Sequence, residues 1–440
     1  MSSTSRNGSA WRSTSSSRAR ARRRRVSRER KRVSRNHLPL ISLLAANAIS
    51  MVGNVVAMIA IPWFVLETSG SAARTGLAGF FTILPVVLAG LLGGALIDRL
   101  GYRRTSILAD LASGACVALI PLLHATLGLQ FWQLIVLVFL GALLDAPGGT
   151  ARSALVPDLA AQAGMPIERA ASAAQVIERG SRLVGAPVAG LLIGVMGTAT
   201  VLWLDAASFL VSAVLVGACV AAPPARPRPE KVSYLSEWKA GLAFLRTDRL
   251  ILTIVVVVML TNFLDAALSG VILPVYVKEI FGTPVNLGLI LAANGGGALL
   301  GALAYGVVGH RLPRRGTFVA MFVFASLQLW AFALYLPLPA LLTVIIVCSV
   351  GAGPLNPIID AVAYEHIPAD MRGRVLGTIT AGAWLAMPLG VLLGGVFTDQ
   401  LGVRAVLVVI ALAYLATTLS MAALPAMRGM DRRIPALGTT

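Results

Sequence analysis

The sequence predicts an all-α polytopic membrane protein with twelve transmembrane helices arranged as two pseudo-symmetric six-helix bundles. Three observations carry this. Hydrophobic residues are 57% of the 440, and mean hydropathy is +0.81; soluble cores do not hide that much apolar surface, so the bilayer must be part of the solvent. The charged 13% gather between long apolar runs instead of along helix faces, which is a hydropathy pattern and not an amphipathic one. Segments of the first half also recur in the second.

A span needs about twenty apolar residues to cross roughly 30 Å of hydrocarbon. Such runs, bounded by charge, Pro or Gly, fall at 39–66, 76–97, 105–125, 131–150, 170–196, 200–222, 250–277, 286–308, 317–335, 340–361, 374–397 and 403–424. With the N-terminus inside, only Arg74, Lys278 and Arg404 of the 37 Lys and Arg lie on the outer side. The excess of basic residues on one face predicts that both termini are cytoplasmic. The expected location is the membrane itself, with both tails on its cytoplasmic side.

The net charge of +18 is mostly one tail, because residues 1–37 hold thirteen Arg and Lys against the single acid Glu29. Set among Ser and Gly with little to bury, this segment reads as a disordered cytoplasmic tail. It is either an anchor for anionic lipid headgroups or a solvated tail without a specific partner. No nucleic-acid partner is expected. Residues 38–222 form the first expected bundle and 249–425 the second, with 426–440 as a short C-terminal tail. Between the bundles, 223–248 reads as a cytoplasmic linker: PPARPRPEK, then YLSEWKAGLAFLR, whose Tyr234, Trp238, Leu242 and Leu245 recur at helical spacing. That spacing predicts an amphipathic helix at the inner interface. Cys116, Cys219 and Cys348 lie far apart in apolar segments and read as packing residues.

The connection GALIDRLGYRR, Gly94 to Arg104, matches GVVGHRLPRR, Gly306 to Arg315, at an offset near 212. Pro157 and Pro368 follow at offset 211, and Pro187 and Pro388 occupy equivalent helices five and eleven. Two parallel six-helix repeats follow.

Gly94, Asp98, Arg99, Gly101, Arg103 and Arg104 fit the loop GxxxD(R/K)xGx(R/K)(R/K) between the second and third spans. This loop is the signature of the major facilitator superfamily, and the chain resembles that family over residues 38–425. AIPWFVLETSGSAARTG, LVGAPVAGLLIG, ILPVYVKEIFG and DMRGRVLG are similar to the bacterial branch that exports siderophores and macrolides. Gly185, Pro187 and Gly190, with Gly194, resemble the Gly and Pro motif of proton-coupled antiporters, without its contiguous Gly-Pro pair. The resemblance implies the major facilitator fold, alternating access and export. Two departures stand out. The second loop copy has His310 in place of the acid, and helix one carries Asn47 and Asn54 where such exporters often carry an acid.

Physically, an acid at Asp98 ends a helix where it can meet a helix N-terminus or an Arg across the interface of the halves. The loop is thereby either a latch for one conformation or only a topological turn. Charge inside a membrane costs at least ~2.5 kcal/mol, so deep acids are candidates. Asp110, Asp145 and Asp360 read as lying near inner ends and Asp205 near the outer end, which leaves Asp265 at mid-depth. Asn262 and Asp265 are three residues apart and are expected to face a cavity together. Asp265 is then a proton or cationic-solute site, or a buried acid satisfied by its neighbours and inert. Glu178, with Arg179 and Arg182, reads as a charge network at the inner mouth and as a second proton candidate. Asn54, Asn294 and Asn356 are candidates to line the cavity or to pair with backbone. Gly295, Gly296, Gly297 and Gly301 fall inside an apolar span with no GxxxxGK(S/T), so close packing is expected there instead of a phosphate loop.

No nucleophile elbow, Cys/His ligand set or paired carboxylates point to an enzyme, a cofactor or a metal. The expectation is a monomeric transporter taking a small molecule and protons, most simply an exporter of hydrophobic or amphipathic compounds driven by proton flow. An importer or uniporter of a small metabolite is the alternative. From another class, a membrane sensor or scaffold with a lipid-binding tail is also open.

Overall fold

The computed structural model describes residues 36–221, 234–368 and 371–431. The expectations placed on the tail over 1–35, on 222–233 and on 432–440 lie outside the described residues. So do the side chains of Asp98, Arg99, Tyr234, Trp238 and His310.

Among the described residues the chain is helical throughout, in twelve passes. These are α1 (Leu38–Ser69), α2 (Ala72–Leu100), α3 (Tyr102–Thr126), α4 (Phe131–Ala163), α5 (Ile167–Met196), α6 (Thr198–Cys219), α7 (Arg249–Ile280), α8 (Pro284–Val308), α9 (Arg314–Ala333), α10 (Leu338–His366), α11 (Arg372–Leu401) and α12 (Val403–Ala423). Ten are long and apolar enough to cross a membrane. The other two are α2, apolar over Ala72–Leu88, and α5, which carries Glu178, Arg179 and Arg182.

Local sequence explains the boundaries. Gly70 closes α1 at φ 65, and the Ser71 side chain caps α2 by accepting from the Arg74 amide. The Asp248 carboxylate does the same for α7, accepting from the amides of Leu250 and Ile251, which satisfies donors that the first turn leaves free. Three helix junctions, α2–α3, α5–α6 and α11–α12, turn on one glycine each: Gly101, Gly197 and Gly402, with φ 77, 78 and 81 and ψ 157, 158 and 157. A side chain at these angles is strained.

Interior breaks fall where backbone bonding fails. α7 contains a π segment over Leu268–Ile272. α10 is interrupted at Gly353 and Pro354, and α11 at Ala386 before Pro388; a proline removes an interior hydrogen bond and crowds the preceding turn.

In the first bundle α3 packs on α4 and α6, and α1 on α5 and α6; in the second, α8 packs on α10, α7 on α11 and α9 on α12. The bundles meet through α2 with α11 and α5 with α8. A cluster of Leu40, Leu43, Leu155, Leu159, Ala170 and Val216 brings the start of α1, the end of α4, the start of α5 and the end of α6 to one end of the molecule, here the near end. The linker helix Tyr234–Thr247 docks on the near part of α11, where Gly241 lies against Thr378, and it buries Leu245 to 3% exposure.

One expected boundary needs correction. The fourth span, read as 131–150, continues to Ala163. The run DAPGG resembles a helix end, but Gly148 packs directly on Ala109 of α3 and Arg152 is held by α3 and α1, so tertiary contacts override the local breaker signal.

Candidate functional site

The longer α4 changes which acids lie inside the fold. Asp145 falls near the middle of Phe131–Ala163, not at an end, and the reading that left Asp265 as the only deep acid is corrected. Arg152, counted at first among near-face cations, is 3% exposed. Its guanidinium is 2.5 Å from Asp110, which is fully buried, and 3.8 Å from Asp145. It also donates to Asn47 Oδ1 at 3.2 Å and Ser50 Oγ at 3.4 Å, while Ser212 Oγ donates to Asp110 at 2.7 Å. Asn54 Nδ2 donates to Asp145 at 2.9 Å. α1, α3, α4 and α6 thus share one hub in which a single guanidinium faces two carboxylates, and Asp145 Oδ1 has no hydrogen-bond partner. A buried excess of negative charge favours binding a proton or a cationic solute.

Asp265 is in mid-α7, three residues before the π segment, and π segments often mark functional sites. The Tyr414 hydroxyl of α12 lies 2.7 and 2.8 Å from its two carboxylate oxygens. Asn262 donates to the Ala383 carbonyl of α11 at 2.9 Å; spacing keeps the pair on one side of α7, but instead of facing a cavity together the two side chains bond to different neighbours, α11 and α12. Asn294 and Asn356 are exposed on α8 and α10. The Glu178 carboxylate meets Arg182 at 3.2 Å with both side chains exposed, at 39% and 67%, a geometry worth little in stability.

Two close crossings join the bundles toward the far end. On α5 and α8, a Cβ at Gly190 would lie 2.7 Å from the Pro284 carbonyl and 2.8 Å from Gly288 Cα. On α2 and α11, a Cβ at Gly395 would lie 2.5 Å from the Ala72 carbonyl and 2.9 Å from Gly76 Cα. Of the helix-five run, Pro187 packs on Gly288 and Gly194 on Val285 at the first crossing, while Gly185 packs inside its own bundle, on Val55 of α1. The expected packing role of Gly297 and Gly301 is met by α10, against Ser349 and Val350. Nearer the termini Gly180 has open space around it, and Val176 and Leu303 are 71% and 61% exposed. The α5–α8 pair is therefore closely packed toward the far end, whereas Gly180, Val176 and Leu303 are uncovered toward the near end.

Charge reinforces the seal. Asp399 of α11 caps α2, accepting from Ser71 Oγ at 2.7 Å and from the amides of Ala72 and Ala73 at 2.7 and 2.9 Å. Lys278 of α7 donates to the Leu66 carbonyl in the last turn of α1 at 2.7 Å. An anion sits at a helix N-terminus and a cation at a helix C-terminus, as the dipoles favour. Sequence reading missed Asp399, yet a signal existed: LLGGALIDRLG, 91–101, recurs as LLGGVFTDQLG, 392–402, which aligns Asp399 with Asp98 and Gly402 with Gly101. Replacing Asp399 by Asn is expected to loosen the far-end seal by about 1 kcal/mol, a roughly fivefold shift in population. Spin-label distances between the far ends of α2 and α11 check this, and an unchanged distribution would make the contact incidental.

At the near end, Arg103 donates to the Gly217 carbonyl of α6 at 2.5 Å and so holds a helix C-terminus, whereas Arg104 is exposed.

The profile of the Major Facilitator Superfamily matches residues 43–265 and again 255–436. The multidrug efflux pump Tap of Mycobacterium tuberculosis is 34% identical over 404 residues, spanning 90% of this chain and 96% of that protein. Macrolide efflux protein A of Streptococcus pyogenes is 23% identical over 372 residues, 83% of this chain and 91% of its own. Among solved structures, the nucleoside transporter NupG superposes with a TM-score of 0.73 at 12% identity, covering 88% of this chain and 98% of that one, a likeness of fold.

Proposed function

Because the chain belongs to the Major Facilitator Superfamily, and so is a membrane transporter and not an enzyme, we propose that it exports small hydrophobic or amphipathic compounds, drugs among them, in exchange for protons. The observation that carries the export reading is its 34% identity over 404 residues to a multidrug efflux pump. Alternating access supplies the mechanism: the bundles rock about a mid-membrane cavity, with the far-end crossings sealing one state.

In this reading the near end is cytoplasmic, in a bacterial inner membrane, and the state described faces inward. The positions of basic residues support that orientation: Arg74, Lys278 and Arg404 lie at the far end, where Arg74 stacks on Phe131, Arg404 on Tyr335, and Lys278 holds α1. When the near end closes, Asp98 takes the part that Asp399 plays in this state. Proton coupling draws on Asp265 and the Asp145 hub, acids lacking enough cations to balance them. The basic tail touches anionic lipid, the working unit is a monomer, and no cofactor or nucleic acid takes part.

Expression in a drug-sensitive bacterial host tests the reading. Accumulation of a labelled macrolide is expected to fall and a protonophore to restore it; accumulation equal to that of the empty-vector strain would refute export. A reporter fused after Leu245 is expected to read as cytoplasmic and one inserted near Gly282 as external. The opposite result at either site contradicts the orientation.

A further inference from the structure

The Glu178–Arg182 pair adds little to stability, yet its place in the fold sets it apart. Arg182 stands about 21 Å from the far end of Ile167–Met196 at ~1.5 Å per residue, within the ~30 Å of hydrocarbon. Leu191 follows it by nine residues, about two and a half turns, and so lies on the opposite face. Val184, Leu191 and Val195 are 55%, 55% and 76% exposed and form the lipid side of α5. Arg182 instead begins a stripe that continues through Ala186, Ala189 and Ile193, all buried. Its side chain is 67% exposed, so it looks into open space between the bundles and not into lipid.

Gln175 and Arg179 carry the same stripe toward the near end, both exposed. Arg179 has no hydrogen bond or ion pair among the described residues. Across the gap α8 supplies a polar group at the same depth. Leu183 lies 3.6 Å from where a Cβ on Gly295 would stand, which sets their neighbours Arg182 and Asn294 level with one another. Asn294 is exposed, and Leu303, nine residues on and 61% exposed, marks the lipid side of α8 about half a turn away. A cation at this depth is costly without a partner, and the single carboxylate of Glu178 cannot satisfy two guanidiniums. The missing partner is an anion that enters from solution.

We propose that Arg179 and Arg182 bind the acidic group, a carboxylate or phenolate, of an amphipathic substrate in the cavity between the bundles. A guanidinium takes a carboxylate through two parallel N–H···O bonds. The incoming anion displaces Glu178 from Arg182 and pairs with Arg179 as well, while the Asn294 amide donates to it from the second bundle. The proposal rests on the efflux reading and adds amphipathic acids to the solutes that the cavity accepts.

Equilibrium dialysis of the full-length protein in lipid nanodiscs against labelled fusidate, an amphipathic carboxylate, tests it, with fusidate methyl ester as the uncharged compound of the same body. Saturable binding of the acid is expected, and binding of the ester at least tenfold weaker. Arg182→Gln is expected to weaken binding of the acid at least tenfold and to leave that of the ester unchanged, whereas Arg182→Lys retains part of it. Glu178→Gln, which removes the carboxylate that competes for Arg182, is expected to tighten binding of the acid severalfold, a gain that a purely structural pair would not give. Wild-type affinity in Arg182→Gln, equal binding of acid and ester, or no gain in Glu178→Gln overturns the proposal; should Arg182→Gln fail to fold, the ester and Glu178→Gln decide. Binding of the acid by a protein that exports nothing would leave the site standing and remove the efflux reading. Macrolide export without selective binding of the acid would do the reverse.

Discussion

Replacing Arg152 by Gln is expected to destabilise the protein by about 3–5 kcal/mol, because it leaves Asp110 as an unpaired charge in a fully enclosed site. Among the described residues the Arg152 guanidinium is the only cation in contact with Asp110, at 2.5 Å, and it also ties α1 to α4 through Asn47 and Ser50. A fall in the yield and melting temperature of detergent-purified protein is the readout. Neutralising both partners, Arg152→Gln with Asp110→Asn, is expected to recover much of the loss, since the cost of a lone buried charge disappears. A single variant as stable as wild type would reduce the hub to an incidental contact.

The second large effect is expected at Asp265. Asp265→Asn should abolish accumulation of solute against a gradient while leaving exchange down a gradient intact. Asparagine keeps the size and can still accept from Tyr414, but it cannot take up and release a proton. Asp265→Glu should retain part of the coupling. Flux in reconstituted vesicles with and without an imposed pH gradient separates the two activities. Full proton-driven transport by Asp265→Asn would move the coupling site to Asp145, which replaces Glu178 as the next candidate because Glu178 lies in an exposed pair with Arg182.

Much of the architecture was legible because hydropathy, basic-residue placement and the offset near 212 are properties of single segments and of their repetition. What was illegible depends on partners far apart in the chain. Arg152 meets Asp110 and Ser50 across 42 and 102 residues, and the DAPGG run hid the continuation of α4 that carries it there. Depth estimated from the nearest Pro or Gly consequently placed Asp145 at an end. Asn262 and Asp265 share a helix face by spacing, but their partners lie on α11 and α12, which only packing decides. Asp399 escaped because the search for parallel repeats compares helix two with helix eight, whereas LLGGxxxDxLG recurs in helix eleven at an offset of 301. A search for inverted repeats would have found it.

The central claim is that a proton gradient drives export through this chain. Inside-out membrane vesicles test it most directly, with the lumen acidified and a labelled macrolide outside. The account predicts uptake into the lumen that needs the pH gradient, collapses on adding a protonophore and requires no nucleotide. Uptake that survives the protonophore at full rate, or none beyond that of vesicles lacking the protein, would contradict it.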